Sequence, residues 1–301
     1  MLSRSSSGAE QCFRKAWAAS SILASGSKSM IIDAHTHIGK LKNSPYEKQS
    51  YEENLDSLLK EMKKSGVDHS LILANYNEAD DVSPSTEAVL RVAKNLKNIS
   101  VVGSVDVLNY KKEDLKKLEA SLIRKEIVGI KLYLGYQHFY ANDAIARPIL
   151  ELCDRLGVPV IFHTGDTLIY KSFAKVKYAQ PLPVDDVAVD FPNLKIIIAH
   201  MGNPWLMDCA EILYRNKNVY ADVSGLFVHG GLDGKYAKMM LGKIKELAIF
   251  SDPKKLLFGT DWPLAGQKEY IGFVKKLGIS KKDLEFVMWK NASELFGIKL
   301  V

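Results

Sequence analysis

Short apolar runs rich in β-branched residues alternate with longer amphipathic stretches from Met30 to the end of the chain. In the longer stretches, apolar residues recur three and four positions apart, as at Leu55, Leu58 and Met62, which is the spacing of one helix face. Near-continuous apolar strands between helices are typical of a parallel sheet that is covered on both faces. The predicted strands are 30–35, 69–74, 99–106, 127–133, 158–163, 194–200, 218–224 and 255–261.

Eight strand–helix units in succession predict a single α/β domain over residues 30–301, closed into a (β/α)8 TIM barrel. A last amphipathic helix is predicted over 281–297, after the eighth unit. An open, doubly wound sheet is the structural alternative. It is disfavoured because no Gly-x-Gly-x-x-Gly turn follows the first strand.

The first 29 residues differ from the rest, since they are rich in serine, poor in acidic residues and lack a sustained apolar run. We expect a disordered leader or a mis-assigned start, with a weak transit peptide as the alternative. This segment carries Arg4, Arg14, Lys15 and Lys28 against Glu10, so it supplies +3 of the net charge of +6.

The remaining basic residues are interspersed with acids, as in 111–117, which is typical of solvated helix faces and argues against nucleic-acid binding. The longest apolar runs are far shorter than the ~20 residues that cross a bilayer, so no membrane association is expected. Three widely spaced cysteines do not form a disulfide framework and favour a cytoplasmic location. A homodimer is expected only because symmetric dimers are common.

The sequence 33-DAHTH-37 ends the first predicted strand. Side chains alternate along a strand, so His35 and His37 should share one face with Asp33. At the carboxyl end of a barrel strand, two such imidazoles converge on the mouth where barrel active sites lie. A lone His-x-His pair is weak evidence, because a structural or solvated pair is the more common explanation.

Four later strands strengthen the case. His163, His200 and Asp261 each follow an apolar run at the predicted end of strand five, six or eight. Lys131 lies within the apolar strand four, where burying an unpaired ammonium costs several kcal/mol. Each residue alone would more often be a satisfied polar group. Together, at the same end of one barrel, they predict a functional site.

Neutral imidazoles and carboxylates are ligands that suit Zn²⁺ and similar divalent ions. A catalytic site leaves one coordination position open, and the metal can lower the pKa of a bound water to about 7. A nearby base such as His200 or Asp261 could then accept or relay the proton.

The chain resembles the amidohydrolase superfamily, specifically the amidohydrolase-related family that includes aminocarboxymuconate-semialdehyde and resorcylate-type decarboxylases. The motifs that carry the resemblance are 33-DAHTH-37, 129-GIKLYLGY-136, 161-IFHTGD-166, 199-AHMG-202, 222-DVSG-225, 259-GTDWP-263 and 291-NASELFG-297. They extend over essentially all of 30–301. The resemblance implies a TIM barrel and a divalent metal centre. It implies His35, His37, His163 and Asp261 as metal ligands, with His200 and Asp261 as catalytic residues.

The resemblance leaves the number of metal ions open at Lys131, because a carboxylated lysine on strand four bridges two ions in the binuclear branch. One ion, most readily Zn²⁺, is the favoured expectation, and two are expected if Lys131 is carboxylated. Lys131, Tyr133 and Trp262 are the predicted substrate-binding residues. Asp222, on strand seven, is expected to hydrogen-bond a ligand histidine.

Three functions fit these residues. The favoured one is metal-dependent hydrolysis of a C–N or C–O bond in a small amide, lactone or ester. The alternative is metal-dependent, non-oxidative decarboxylation of an unsaturated or aromatic acid, which the same ligands would serve. A non-catalytic barrel that binds a metal or a ligand is the third, and proton-transfer groups beside the predicted ligands argue against it.

Overall fold

The computed structural model describes residues 30–77, 82–226 and 234–299. The predicted leader, residues 1–29, lies outside these described ranges. All eight predicted strands are present as β-strands. Numbered in chain order, they are β1 (Ile32–Thr36), β2 (His69–Leu73), β3 (Ile99–Ser104), β4 (Ile130–Leu132), β5 (Val160–Phe162), β6 (Ile196–Ile198), β7 (Val219–Asp222) and β8 (Leu256–Leu257).

The strands form one parallel sheet in the order β1 to β8, so each strand pairs with its neighbours in the chain. The segment after β8 then joins β1. Ala34 N–H donates to the Phe258 carbonyl at 2.9 Å, and Asp261 N–H donates to the His35 carbonyl at 2.8 Å. These bonds close the sheet into a barrel. The alternative of an open, doubly wound sheet is therefore wrong, because strand order would reverse at a switch point in that fold.

A helix follows every strand, which completes eight βα units. The helices are α1 (Tyr51–Ser65), α2 (Thr86–Val92), α3 (Lys112–Ile123), α4 (Arg147–Leu156), α5 (Pro183–Asp190), α6 (Leu206–Arg215), α7 (Lys235–Phe250), α8 (Gln267–Val274), α9 (Lys281–Glu285) and α10 (Asn291–Phe296). A π-helical turn over Phe286–Lys290 joins α9 to α10, so the last predicted helix is confirmed as a continuous helical run. None of the helices in the described ranges combines the length and apolar character needed to cross a bilayer.

Two hydrophobic cores explain why the strands are apolar on both faces. Along β6, Ile196 and Ile198 pack in the outer core between the sheet and the helices, whereas Ile197 packs in the core inside the barrel. Phe296 of α10 also belongs to the inner core and lies against Gly129, just before β4. The amino-terminal end of the barrel is thus filled by apolar side chains, which leaves the carboxyl end for a cavity.

Seven of the eight strands end one to four residues earlier than the sequence pattern indicates, and two of these ends affect the site. β6 stops at Ile198 and β8 stops at Leu257, so His200 and Asp261 follow their strands instead of ending them. Both residues have left-handed backbones, with φ of 58° at His200 and 63° at Asp261. That conformation is uncommon for residues other than glycine and is incompatible with an extended strand. It bends the chain at the two places where the predicted site needs a side chain aimed inward.

Candidate metal centre and active-site cavity

A cavity lies at the carboxyl ends of the barrel strands and encloses about 700 Å³ of empty space, its mouth included. This is the end of the fold at which barrel enzymes carry their active sites. Its polar and aromatic lining includes His35, His37, Asn75, Tyr76, Lys131, Tyr133, Tyr136, His163, Asp166, His200, Asn203 and Asp261. Nearly all the predicted site residues therefore share one cavity, although they come from five different strand ends.

Three of the four predicted metal ligands form a compact group in this cavity. The Nε2 atoms of His37 and His35 lie 3.2 Å and 3.7 Å from the Oδ1 atom of Asp261. One ligand atom from each residue lies within 4.8 Å of the others, and all three side chains are buried. A cation placed among them would therefore meet two imidazoles and one carboxylate.

The other ring nitrogen of each histidine faces an acceptor. His35 Nδ1 lies 2.8 Å from Asp222 Oδ2, and His37 Nδ1 lies 3.1 Å from the Leu73 carbonyl. A carbonyl or carboxylate only accepts, so each Nδ1 is the protonated nitrogen and, in a neutral ring, Nε2 carries the lone pair. Such anchoring of the distal nitrogen is the usual arrangement of metal-bound histidines.

Electrostatics fit the same interpretation. Burial, followed by the nearby Lys131 ammonium, lowers the pKa of His35 to about 3 despite the carboxylates of Asp222 and Asp261, so this ring is neutral. Burial opposes ionisation of Asp261, but its contact with His37 holds the pKa of the Asp261 carboxyl well below its ordinary value. A carboxylate facing imidazole lone pairs is favourable only with a proton or a cation between them. The donor set therefore fits a divalent metal ion, which requires deprotonated ligands.

Asp222 anchors this group from behind, at the end of β7. Its Oδ1 accepts hydrogen bonds from the backbone N–H groups of His200 at 3.0 Å and Ser224 at 3.1 Å, while Oδ2 accepts from His35. Burial alone would raise the pKa of Asp222, but its electrostatic interaction and hydrogen bond with His35 override burial and hold the pKa of this carboxyl well below its ordinary value. The predicted hydrogen bond between Asp222 and a candidate ligand histidine is thus present.

His200 lies in a 3₁₀ turn, Ala199–Gly202, that follows β6. Its ring centroid is 4.8 Å from that of His35 and 5.0 Å from that of His163. Nδ1 of His200 lies 2.9 Å from the Ser224 hydroxyl oxygen and 3.2 Å from the Ser224 carbonyl. With Nδ1 engaged in this way, Nε2 is the ring atom that is available to a reacting molecule.

Lys131 projects from β4 into the cavity and is only 1% exposed. Within the described ranges its Nζ has no hydrogen-bond partner. Burial lowers its pKa to about 8, although the carboxylates of Asp222 and Asp261 favour the charged form. The ammonium lies 5.5 Å from the ring centroid of Tyr133, whose hydroxyl donates to the Ala74 carbonyl. A buried cation without a hydrogen-bond acceptor is suited to an anionic group of a bound molecule.

Two predicted residues take positions that differ from the expectation. His163 lines the cavity, but it is not in the compact group, and its Nε2 lies 3.2 Å from the Asp166 carbonyl. Its role as a fourth ligand stays a prediction. Trp262 is not among the residues that line the cavity, and its role in substrate binding stays a prediction. Trp262 is buried in the outer core, where its ring centroid lies 4.9 Å from that of Tyr46.

A second set of close donor groups has a different explanation. His35, His200 and Asp222 also have ligand atoms within 4.8 Å of one another in the described part of the chain. The Ser224 hydroxyl contacts all three, at 3.0 Å from His35 Nδ1 and 2.9 Å from His200 Nδ1. Hydrogen bonds through this hydroxyl account for the proximity, so this set does not require a second ion.

Ser224 and Gly225 are site residues that no individual prediction identified, although both lie in the 222-DVSG-225 motif. Ser224 is two positions after Asp222, so strand alternation alone would have placed the two side chains on one face. Gly225 has φ of 66°, and an added Cβ would lie 2.6 Å from His200 Nδ1 and 2.9 Å from Asp261 Oδ2. The glycine allows two site side chains to approach the backbone closely.

Comparison with known proteins gives relatives of two reaction types. A γ-resorcylate decarboxylase from Polaromonas sp. strain JS666 is 24% identical over 194 residues. The match covers 52% of this chain and 56% of the decarboxylase, so it extends over little more than half the length of this curated relative.

Solved structures share the fold at lower identity. A probable 2-pyrone-4,6-dicarboxylic acid hydrolase from Acinetobacter baumannii, solved with citric acid bound, has a TM-score of 0.65 and 18% identity over 89% of this chain and 99% of its own. An amidohydrolase from Burkholderia multivorans, solved with bound zinc, has a TM-score of 0.65 and 18% identity over 90% of this chain and 100% of its own.

The amidohydrolase family model matches residues 32–298. This range begins at β1 and continues past α10, so it contains every strand of the barrel and every residue of the metal-ligand group. Because the match extends over nearly the whole described barrel, the chain belongs to the amidohydrolase family.

Proposed function

We propose that the protein is a metal-dependent hydrolase that acts on a C–N or C–O bond of a small carboxylic acid, such as a lactone, an ester or an amide. The observation that carries the proposal is the compact group of His35, His37 and Asp261 beside His200. The protonated Nδ1 atoms of His35 and His37 point away from Asp261, so their Nε2 atoms face its carboxylate. Nδ1 of His200 contacts the Ser224 hydroxyl.

His35, His37 and Asp261 would hold one divalent ion, most readily Zn²⁺, with His163 as the predicted fourth ligand. When bound, the ion supplies Lewis acidity, which lowers the pKa of a water molecule and polarises a carbonyl group. Asp222 would keep His35 in the tautomer that presents Nε2 to the ion.

His200 is the proposed general base. Its Nδ1 is directed at the carbonyl and hydroxyl oxygens of Ser224, so a neutral ring carries its proton there and presents the Nε2 lone pair to the cavity. An imidazole in this tautomer can accept a proton from water but has none to give at Nε2. Hydrolysis begins with proton removal from water, whereas decarboxylation ends with proton delivery to carbon. The tautomer therefore favours hydrolysis.

Lys131 supports a carboxylate in the substrate. It is the cationic side chain of the described cavity lining, and its buried Nζ has no hydrogen-bond acceptor within the described ranges. The rings of Tyr133 and Tyr136 form an aromatic wall beside His163, with centroids 6.5 Å and 4.8 Å from its ring. A planar or unsaturated acid would place its carboxylate near Lys131 and its flat face against this wall.

The same wall is the specific reason to keep decarboxylation as the second candidate. An aromatic acid fits beside Tyr133 and Tyr136, and the match to a γ-resorcylate decarboxylase points in that direction. In that case His200 would first need to acquire a proton at Nε2 and then donate it to the ring carbon that loses the carboxylate.

Isotope labelling of the products separates the two reactions. Zn²⁺-loaded protein would be incubated with small carboxylic acids that contain lactone, ester or amide bonds, and with hydroxybenzoic acids. In H₂¹⁸O, hydrolysis places one ¹⁸O atom in the product. Decarboxylation releases CO₂ and, in D₂O, places deuterium on carbon. Incorporation of ¹⁸O with no CO₂ is the expected result, and CO₂ release with deuterated product would overturn the proposal in favour of the lyase.

Matched histidine variants test the site itself. His37→Ala should lose bound metal and activity together, because it removes a ligand of the compact group. His138→Ala is the control, since His138 lies outside the cavity lining and binds the Phe173 carbonyl. If metal binding and turnover were equal in the two variants, the assigned centre would be wrong. A protein that binds metal yet converts none of the substrates would support the non-catalytic barrel.

A further inference from the structure

The Ser224 hydroxyl lies at the junction of the metal-ligand group and the proposed base. It is fully buried, and its oxygen lies 3.0 Å from His35 Nδ1 and 2.9 Å from His200 Nδ1. It also hydrogen-bonds to Asp222 Oδ1. One small side chain thus connects residues from β1, β6 and β7 that are far apart in the sequence.

The hydrogen-bonding capacity of a hydroxyl determines the direction of these three contacts. A serine hydroxyl donates one hydrogen bond and accepts two. Asp222 is an ionised carboxylate that only accepts, so the Ser224 proton must point toward it. Both remaining contacts must then be N–H groups that donate to the serine oxygen. His35 and His200 therefore both carry a proton on Nδ1.

We propose that Ser224 is a positioning residue that fixes His35 and His200 in the same Nδ1–H tautomer, so that both Nε2 lone pairs are directed into the cavity. The effect of Ser224 on catalysis rests on the proposed function, whereas the assignment of the two histidine tautomers does not depend on it. Asp222 starts the chain of contacts, because its charge orients the serine hydroxyl.

Each imidazole has a further acceptor besides this hydroxyl. His35 Nδ1 also faces Asp222 Oδ2 at 2.8 Å, whereas the further acceptor of His200 Nδ1 among the described residues is the Ser224 carbonyl, at the longer distance of 3.2 Å. Loss of the hydroxyl should therefore disturb His200 more than His35. This asymmetry separates a positioning role from a general loss of packing, which would affect both rings.

Ser224→Ala removes the hydroxyl with little change in volume, and Ser104→Ala is the matched control. Ser104 is also buried, and its hydroxyl donates to the Lys131 carbonyl without contacting an imidazole. Ser104→Ala loses one buried hydrogen bond and Ser224→Ala loses three, so both variants should be less stable than the wild type, Ser224→Ala by more. Only Ser224→Ala should change the imidazoles.

The primary measurement is NMR of full-length protein with ¹⁵N-labelled histidine, with and without Zn²⁺, because ring ¹⁵N shifts distinguish the two tautomers. Wild type and Ser104→Ala should show His200 as Nδ1–H, and Ser224→Ala should show a mixture at His200 with His35 little changed. An Nε2–H tautomer of His200 in the wild type, or an unchanged His200 in Ser224→Ala, would overturn the inference.

Kinetics give the second measurement once a substrate is known. Loss of the hydrogen bond from His200 predicts a fall in kcat of roughly three- to tenfold in Ser224→Ala. KM should stay nearly constant, because Ser224 is not among the residues that line the cavity. An equal loss in Ser104→Ala would refute the positioning role. Failure to find hydrolysis would refute the proposed function but leave the NMR result, which needs no substrate, to decide on Ser224.

Discussion

Lys131→Met is expected to stabilise the metal-free protein at neutral pH. Lys131 is almost completely buried, and within the described ranges its ammonium lacks a hydrogen-bond partner. The pKa of Lys131 is about 8 in the folded protein, against 10.5 for a free lysine. Folding therefore destabilises the charged form relative to the neutral amine by roughly 3 kcal/mol. Methionine has a similar length and no charge. Allowing for relaxation around the charge, we expect the free energy of unfolding to rise by about 1–3 kcal/mol.

The effect should depend on pH in a defined direction. Below about pH 8, Lys131 is charged in both the folded and the unfolded chain, so the full cost of burying the charge is present. From about pH 8 to 10.5, the unfolded chain binds more protons than the folded one, so the stability of the wild type rises with pH. The advantage of Lys131→Met should therefore be largest near neutral pH and shrink across this window.

Urea unfolding of chelator-treated protein at several pH values from about 7 to 10 measures this difference. Lys60→Met is the control, because Lys60 is exposed on α1 and its removal should leave the stability unchanged at every pH. A Lys131→Met protein less stable than the wild type near neutral pH would refute the reasoning.

Three further substitutions address the metal group and the turn beside it. His200→Ala should retain bound metal but lower kcat by about 10²- to 10⁴-fold through loss of the base. His163→Ala should weaken Zn²⁺ binding. Chelator competition measures metal binding in both variants, and steady-state kinetics measures kcat. Release of a second ion from His200→Ala would instead indicate a binuclear centre. Gly225→Ala should lower kcat at least tenfold, because the added Cβ would lie 2.6 Å from His200 Nδ1 and displace that ring. Gly242→Ala, on α7 where an added Cβ meets nothing within 4 Å, should leave kcat unchanged, and equal kinetics in the two alanine variants would contradict the role of Gly225.

The sequence by itself determined the barrel and the end of it that carries the site. Both follow from local rules, since alternation along a strand and the spacing of apolar residues on a helix depend on backbone geometry alone. The same alternation placed His35 and His37 on one face, and the structure places both in the cavity. Each predicted strand overlaps an observed one, and the largest difference at a carboxyl end is at β8, which stops four residues early, before the left-handed Asp261.

Only the tertiary structure decided which atoms face one another. His35 and Asp222 are 187 positions apart, and no local pattern specifies that Nδ1 of one meets Oδ2 of the other. The same is true of Trp262, which packs outside the cavity, and of Ser224, which joins two imidazoles. Side-chain direction at the mouth of a barrel depends on how turns from several strands pack together. Sequence periodicity therefore predicts which residues reach the site, but the packed fold determines the chemistry that each ring nitrogen can perform.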